Sequence, residues 1–240
     1  TQGVHKNSRI YNINKKKILK YLRDGGIPII TGFQGVNEYE RVSTIGRGGS
    51  DATAIVLAKF FRAQRCVIYT DVEGVYTTDP NKINKARKIK KISYEEMLEM
   101  ASLGAKVMQP NSIQDARLNR IDIEVRNSFK NISGSLITKR KNVSKKNIIR
   151  GVSFTKNDAK VTLIGVKDSP GVAAAIFEPL FKNSINVDMV VQNISSNKKE
   201  TDLTFTIKNE DLTKTKKLIK KNKKIKFKKI IIDEKVSKVS

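Results

Sequence analysis

Three glycines within four positions, Gly46, Gly48 and Gly49, run straight into Ser50-Asp51-Ala52-Thr53 and then into the apolar helical pattern Ala54-Ile55-Val56-Leu57. Glycine lets the backbone turn sharply, adopt φ > 0 and come close to a ligand. Ser50 and Asp51 are residue types that cap a helix start. The first N–H groups of a helix have no internal partner, and the helix dipole is positive there. Such an end suits an anion, either a phosphate or a carboxylate. Arg47 adds a planar fork able to grip a carboxylate by two parallel bonds. The stretch is not a Walker loop, because no Lys-Ser or Lys-Thr pair follows the glycines. Asp51 also stands where a dinucleotide fingerprint needs its last glycine.

The elements around this turn alternate. Residues 14–23 read as an amphipathic helix with Ile18, Leu19 and Leu22 on one face, stopped by Asp24-Gly25-Gly26. Ile27-Pro28-Ile29-Ile30-Thr31-Gly32-Phe33 reads as a buried strand that delivers Phe33 to a loop. Arg65-Cys66-Val67-Ile68-Tyr69-Thr70 reads as a second buried strand, breaking at Asp71. Strand, loop, helix and strand in this order predict a parallel sheet covered by helices, with ligands at the carboxyl ends of its strands. Ser93-x-x-Glu96 is a capping box opening a helix that ends at Gly104. Another helix runs to about Asn119, and 121–125 is a strand. Residues 139–147 are charged and lack apolar periodicity, and they mark a boundary. Beyond it, 159–166, 187–191, 202–207 and 227–232 read as strands. Helices at 172–181 and 209–221 fall between them, in the order βαββαβ of a ferredoxin-like unit.

Composition narrows the class. The chain has 240 residues, 38% of them hydrophobic, enough for one large or two small packed domains. The one cysteine, Cys66, allows no internal disulfide, and the one histidine, His5, lies in a polar stretch without an evident role. A cytoplasmic location is therefore expected, with no membrane partner and no protein-held metal. The net charge of +25 raises the question of nucleic acid. The lysines, however, are spread along the chain without interleaved aromatics for stacking bases, and there is no zinc pattern. Frequent Asn and Ile beside Lys point to genomic composition instead, and no nucleic-acid partner is expected.

Gly46 to Asp51, the run Tyr69-Thr70-Asp71-Val72-Glu73-Gly74-Val75-Tyr76-Thr77-Thr78-Asp79-Pro80 and the run from Glu96 to Val107 together resemble the aspartate kinases. The second unit agrees: 166–173 and 186–193 resemble that family's effector-binding ACT domain. The resemblance implies an α/β fold, with an amino-acid-kinase-type sheet bearing helices on both faces in residues 1–140. A ferredoxin-like βαββαβ ACT domain would follow in 148–225, and a second, truncated ACT domain would begin in 226–240. It implies ATP-dependent phosphorylation of the L-aspartate side-chain carboxylate, with Mg2+, at the entry to lysine, threonine and methionine synthesis.

Residue roles carried over by the resemblance begin with Arg47 and Asp51 as catalytic, Arg47 holding a substrate carboxylate and Asp51 orienting a catalytic lysine. Phe33, Gly48, Gly49 and Ser50 would border the substrate. Thr70, Asp71, Tyr76, Lys106 and Val107 would meet the nucleotide. Asp168, Ser169, Pro170, Gly171, Val172 and Ala173 on one turn, with Asn186, Val187, Asp188 and Gln192 on the next strand, would hold the effector, lysine or threonine or both. ACT pairing implies a homo-oligomer. Two departures stand out: Asn81 follows the Thr-Asp-Pro run where many members carry arginine, and nothing in 1–13 resembles the family's Lys-Phe-Gly-Gly-Thr-Ser loop, which supplies the catalytic lysine. The resemblance thus implies a fragment, and the 240-residue chain alone is expected not to turn over. Competing readings are another amino-acid kinase (glutamate or uridylate) and a non-catalytic amino-acid sensor.

Overall fold

The computed structural model describes residues 8, 10–46, 48–140, 149–194, 200–222 and 225–240. The chain divides into two compact units, one reaching Ser153 and the other spanning Phe154–Val239.

In the first unit, helix α1 (Lys15–Arg23) is followed by a two-stranded antiparallel ribbon, β1 (Gln34–Val36) with β2 (Val42–Thr44). Helix α2 (Gly49–Phe60) leads into β3 (Arg65–Thr70). β4 (Lys91–Ser93), α3 (Tyr94–Ser102), α4 (Pro110–Asn119), β5 (Asp122–Asn127) and β6 (Ser135–Thr138) complete the unit. The main sheet has the order β3-β5-β6-β4. It is mixed rather than wholly parallel: β3 and β5 run together, β6 runs against β5, and β4 runs with β6. The reversal arises because only a short turn separates β5 from β6, too short for a parallel crossover. Ile55 from α2, Met97 from α3, Ile113 from α4 and Ile123 and Ile137 from the sheet are fully buried in one core. The capping box forms as expected, Ser93 Oγ accepting from Glu96 N at 3.2 Å and Glu96 Oε2 from Ser93 N at 2.9 Å. The buried Tyr94 hydroxyl donates to Ile121 O at 2.7 Å, tying α3 to the sheet.

The run 27–33 departs from expectation. It is in no strand, and Ile27 and Ile29 are 85% and 97% exposed. Apolar content identifies a segment that favours burial, but a strand also needs a neighbour to satisfy its backbone. Among the described residues only its last member, Phe33, takes a backbone bond from another segment, from Ile45 N, and strand pairing starts at Gln34. The amphipathic helix is present as α1, yet none of its residues is buried.

The second unit comprises β7 (Phe154–Lys167), α5 (Val172–Lys182), β8 (Val187–Ile194), β9 (Glu200–Lys208), a 3-10 turn (Asn209–Asp211), α6 (Leu212–Lys221) and β10 (Lys229–Val239). Its antiparallel sheet has the order β10-β7-β9-β8, the arrangement of a ferredoxin-like unit. Leu163, Ile176, Leu180, Phe205 and Ile219 form a separate core, with Phe177 and Phe205 edge to face at 5.5 Å.

Two expected boundaries shift. Most of the charged linker lies outside the described residues. Residues 149–153, expected to open the second unit, pack on the first: Val152 N donates to Thr77 O at 2.7 Å and Ser153 Oγ to Met100 O at 3.2 Å. The strand read at 227–232 as the last of this unit is β10, which pairs with β7 and runs on to Val239, so the stretch 226–240 that the resemblance gives to another ACT domain lies in the first ACT sheet.

Candidate active site

The glycine turn is built by left-handed backbone. Gly46 has φ +94° and Gly48 φ +73°, and Gly49 N donates to Gly46 O at 3.0 Å. Gly48 is the N-cap of α2 and supplies no side-chain cap. Ser50 and Asp51, expected as caps, therefore lie inside the first helical turn. The reason is geometric: φ near +73° at position 48 reverses the chain two residues earlier than the polar side chains suggest. Among the first N–H groups, that of Gly49 donates to Gly46 O and that of Ala52 to Gly48 O at 3.1 Å. Arg47 lies outside the described residues.

Phe33 is brought to this turn although it is far off in sequence. Its N–H donates to Thr53 Oγ1 at 3.2 Å, and Ile45 N donates to Phe33 O at 3.0 Å. Thr53 Oγ1 in turn donates to Gly49 O at 2.7 Å. Phe33 itself sits at φ +70°, a strained conformation for a bulky side chain that these bonds hold in place. A Cβ at Gly49 would come to 3.0 Å from both Ile45 Cβ and Phe33 Cδ2, so a larger residue there would have to push the ring or Ile45 aside by a few tenths of an ångström. A Cβ at Gly48 would overlap Gln109, the N-cap of α4. Gln109 was not singled out by sequence; Pro110 at the first position of α4 is the signal that a helix start lies there. The Gln109 side chain lies against Gly48, and Gln109 stands two residues beyond Val107 in the chain. Lys106 is exposed, while Val107 packs against the core.

Asp51 is partly buried and makes no hydrogen bond or ion pair among the described residues. Burial raises its pKa above the usual carboxylate value. Burial, together with the charge of Asp51, pushes the Cys66 thiol up to about 11, so Cys66 is a protonated core residue rather than a nucleophile.

The second cluster lies where the parallel strands β3 and β5 end, at the paired residues Thr70 and Asn127. The short connection from α2 to β3 makes them adjacent and antiparallel, which sets the start of α2 toward this same edge. Thr70 Oγ1 donates to Asp71 Oδ1 at 3.0 Å. The Tyr76 hydroxyl donates to Glu73 Oε2 at 3.2 Å, and burial followed by that bond raises its pKa. Asp79 is a turn former: its Oδ1 accepts from Asn81 N at 2.9 Å. Asn127, Glu73 and Lys130 join this cluster without having been singled out by sequence. A lone asparagine after a strand carries no pattern beyond a turn signal.

A model of the amino acid kinase family matches residues 1–127, more than half of the chain. The chain belongs to the amino acid kinase family. An ACT domain model matches residues 161–222. An aspartate kinase of Pseudomonas putida is 43% identical over 242 residues, covering 100% of this chain and 59% of its own length. An aspartokinase of Helicobacter pylori is 44% identical over 224 residues, covering 92% and 55%. Among solved structures, E. coli aspartokinase III in complex with lysine and aspartate superposes with a TM-score of 0.73 at 30% identity, covering 93% of this chain and 49% of that one. The same enzyme in complex with aspartate and ADP gives 0.74 at 28%, covering 94% and 51%. The chain thus spans between about half and three-fifths of the length of these relatives.

In this amino acid kinase family member the expected effector residues fall on two elements of the second unit. Asp168 to Gly171 form an exposed turn, and Gly171, at φ +86°, is the N-cap of α5, which begins with Val172 and Ala173. Asn186 precedes β8, and Val187, Asp188 and Gln192 lie on it. Asp188 forms an ion pair with Lys238. Among the described residues, no hydrogen bond or ion pair joins the turn to β8.

Proposed function

We propose that the polypeptide carrying this chain is an aspartate kinase, transferring the γ-phosphoryl group of ATP to the side-chain carboxylate of L-aspartate. The observation that carries the reading is the built helix start at Gly46–Asp51, with strained Phe33 pinned against it. Relatives named as aspartate kinases, aligned along 100% and 92% of the chain, support it. A carboxylate oxygen forms a bond to Pγ while the bond from Pγ to the ADP oxygen breaks, giving 4-phospho-L-aspartate and ADP. The attacking group is already ionised at neutral pH, so proton transfer contributes little. The barrier lies in bringing two anions together, and positioning and electrostatics lower it. The positive end of the α2 dipole offers partial charge to one of these anions. Arg47 grips a carboxylate of the substrate. Asp51, partly buried, orients a cation that reaches the phosphoryl group. Thr70, Asp71, Tyr76, Lys106 and Val107 receive the nucleotide. Mg2+ enters bound to the phosphates of ATP, as the MgATP substrate.

The reaction opens lysine, threonine and methionine synthesis, and the second unit supplies feedback. Lysine or threonine, or both, bind the Asp168–Ala173 turn and the Asn186–Gln192 stretch, and ACT units pair copies of the chain. No described helix is long and apolar enough to cross a membrane. The test is ADP release with aspartate, combined with trapping of the acyl phosphate by hydroxylamine. Aspartate-dependent hydroxamate is the expected product. ADP release that ignores aspartate, or that prefers glutamate or a nucleoside monophosphate, would overturn the reading.

A further inference from the structure

The nucleotide segment after β3 is held by a second loop that no sequence motif marks. Asn127, the last residue of β5, is only 6% exposed. Its Nδ2 donates to Asp71 O at 2.9 Å, while its Oδ1 accepts from Phe129 N at 2.8 Å and Lys130 N at 2.9 Å. A single amide thus folds its own turn and grips the facing segment. Beside it, Ser128 N donates to Thr70 O at 2.8 Å. The turn aims Lys130 Nζ at Glu73 Oε1, 2.6 Å away, and the other oxygen of Glu73 takes the Tyr76 hydroxyl. At the far end, Val75 N donates to Ser135 Oγ at 2.8 Å, and Gly74 leaves no room for a side chain against that serine.

We propose that the Asn127–Lys130 loop positions the nucleotide segment, with Asn127 as the positioning residue and Lys130–Glu73 as its outer clasp. The inference rests on the reading of Thr70, Asp71 and Tyr76 as nucleotide contacts. The loop takes only the backbone carbonyls of Thr70 and Asp71. Their side chains stay out of the clasp, so it fixes the segment without consuming the groups that meet the ligand. Tyr76 is reached indirectly, through a carboxylate that Lys130 anchors. Preorganisation of this kind acts on affinity for the nucleotide and much less on the amino-acid substrate.

The test is MgADP affinity by calorimetry alongside steady-state kinetics, in the longest polypeptide that carries this chain. Asn127→Asp keeps the acceptors for Phe129 and Lys130 but removes the donor to Asp71 and sets a carboxylate against its carbonyl. The MgADP Kd and the KM for ATP should each rise about tenfold or more, with the KM for aspartate within about twofold. Lys130→Met should weaken MgADP about threefold, and Lys130→Arg should restore it. Unchanged MgADP affinity in both Asn127→Asp and Lys130→Met overturns the proposal, as does an equal loss of aspartate and nucleotide affinity with a lowered melting temperature. Should Asn127→Asp fail to fold, the Lys130 pair of variants decides. Wild-type protein that binds MgADP yet phosphorylates no aspartate sinks the proposed function alone, because the Kd comparison still stands; protein that binds no MgADP sinks both.

Discussion

At the residue scale, Asp51 carries the clearest conflict between stability and use. Its pKa is raised by burial, so the folded state holds its proton more readily than the unfolded chain does. Stability linked to this group is fully present below the unfolded carboxylate pKa and is lost as pH rises through the raised folded value. Asp51→Asn should therefore melt no lower than wild type at pH 7, and any advantage should fade as the pH is lowered toward 4. Activity should fall about 100-fold or more, the usual loss for a preorganised charge at a reacting centre. Thermal melts across that pH range with parallel rate assays check both halves; a variant that melts lower at pH 7 would make Asp51 a structural residue. Sequence found the glycine turn and the helix it opens, since turn chemistry is local. It misplaced the cap by two residues, because the φ of +73° at Gly48, where a Cβ would meet Gln109, is invisible in the residue types alone.

At the scale of elements, the parallel pair β3 and β5 is locked by Glu124, which Arg65 and Arg126 hold at 2.5 and 2.6 Å. Burial alone would raise its pKa, but the bonds from Arg126 and Arg65 outweigh that and hold it below the usual value. The contribution is present above the unfolded carboxylate pKa and is lost as pH falls through the depressed folded value. Glu124→Gln should cost about 1–3 kcal/mol at pH 7. The difference from wild type should shrink as the solution is acidified below about pH 4. Chemical denaturation at the two pH values measures it, and a constant difference would mean that the carboxylate charge is not what matters. Elements whose signals are self-contained were legible: the Ser93–Glu96 capping box, the apolar run of β3 and the alternation of the ferredoxin-like unit. The run 27–33 was not, because hydrophobicity reports a wish to be buried and not the presence of a neighbour. The antiparallel turn between β5 and β6 was likewise hidden, since strand direction follows from connection length rather than composition.

At the scale of the whole molecule, each unit has its own core, one built around Ile55, Met97 and Ile123 and the other around Leu163, Leu180 and Phe205. On the proposed function, catalysis and feedback are then separable by substitution. Asp168→Ala should leave turnover without effector unchanged while weakening inhibition by lysine or threonine about tenfold or more, a coupling of ordinary size. Inhibition curves for both amino acids decide the matter, and an unchanged midpoint would move the effector site away from this turn. The register of the second unit has a mechanical consequence. Phe154 and Val239, its first and last residues, are direct partners across β7 and β10. Tension applied at these two ends bears on the ladder from one side, so its hydrogen bonds open singly, as in a zipper, and the unit yields at low force. The same closeness lets it be spliced into a loop of another protein with little stretching of the host backbone.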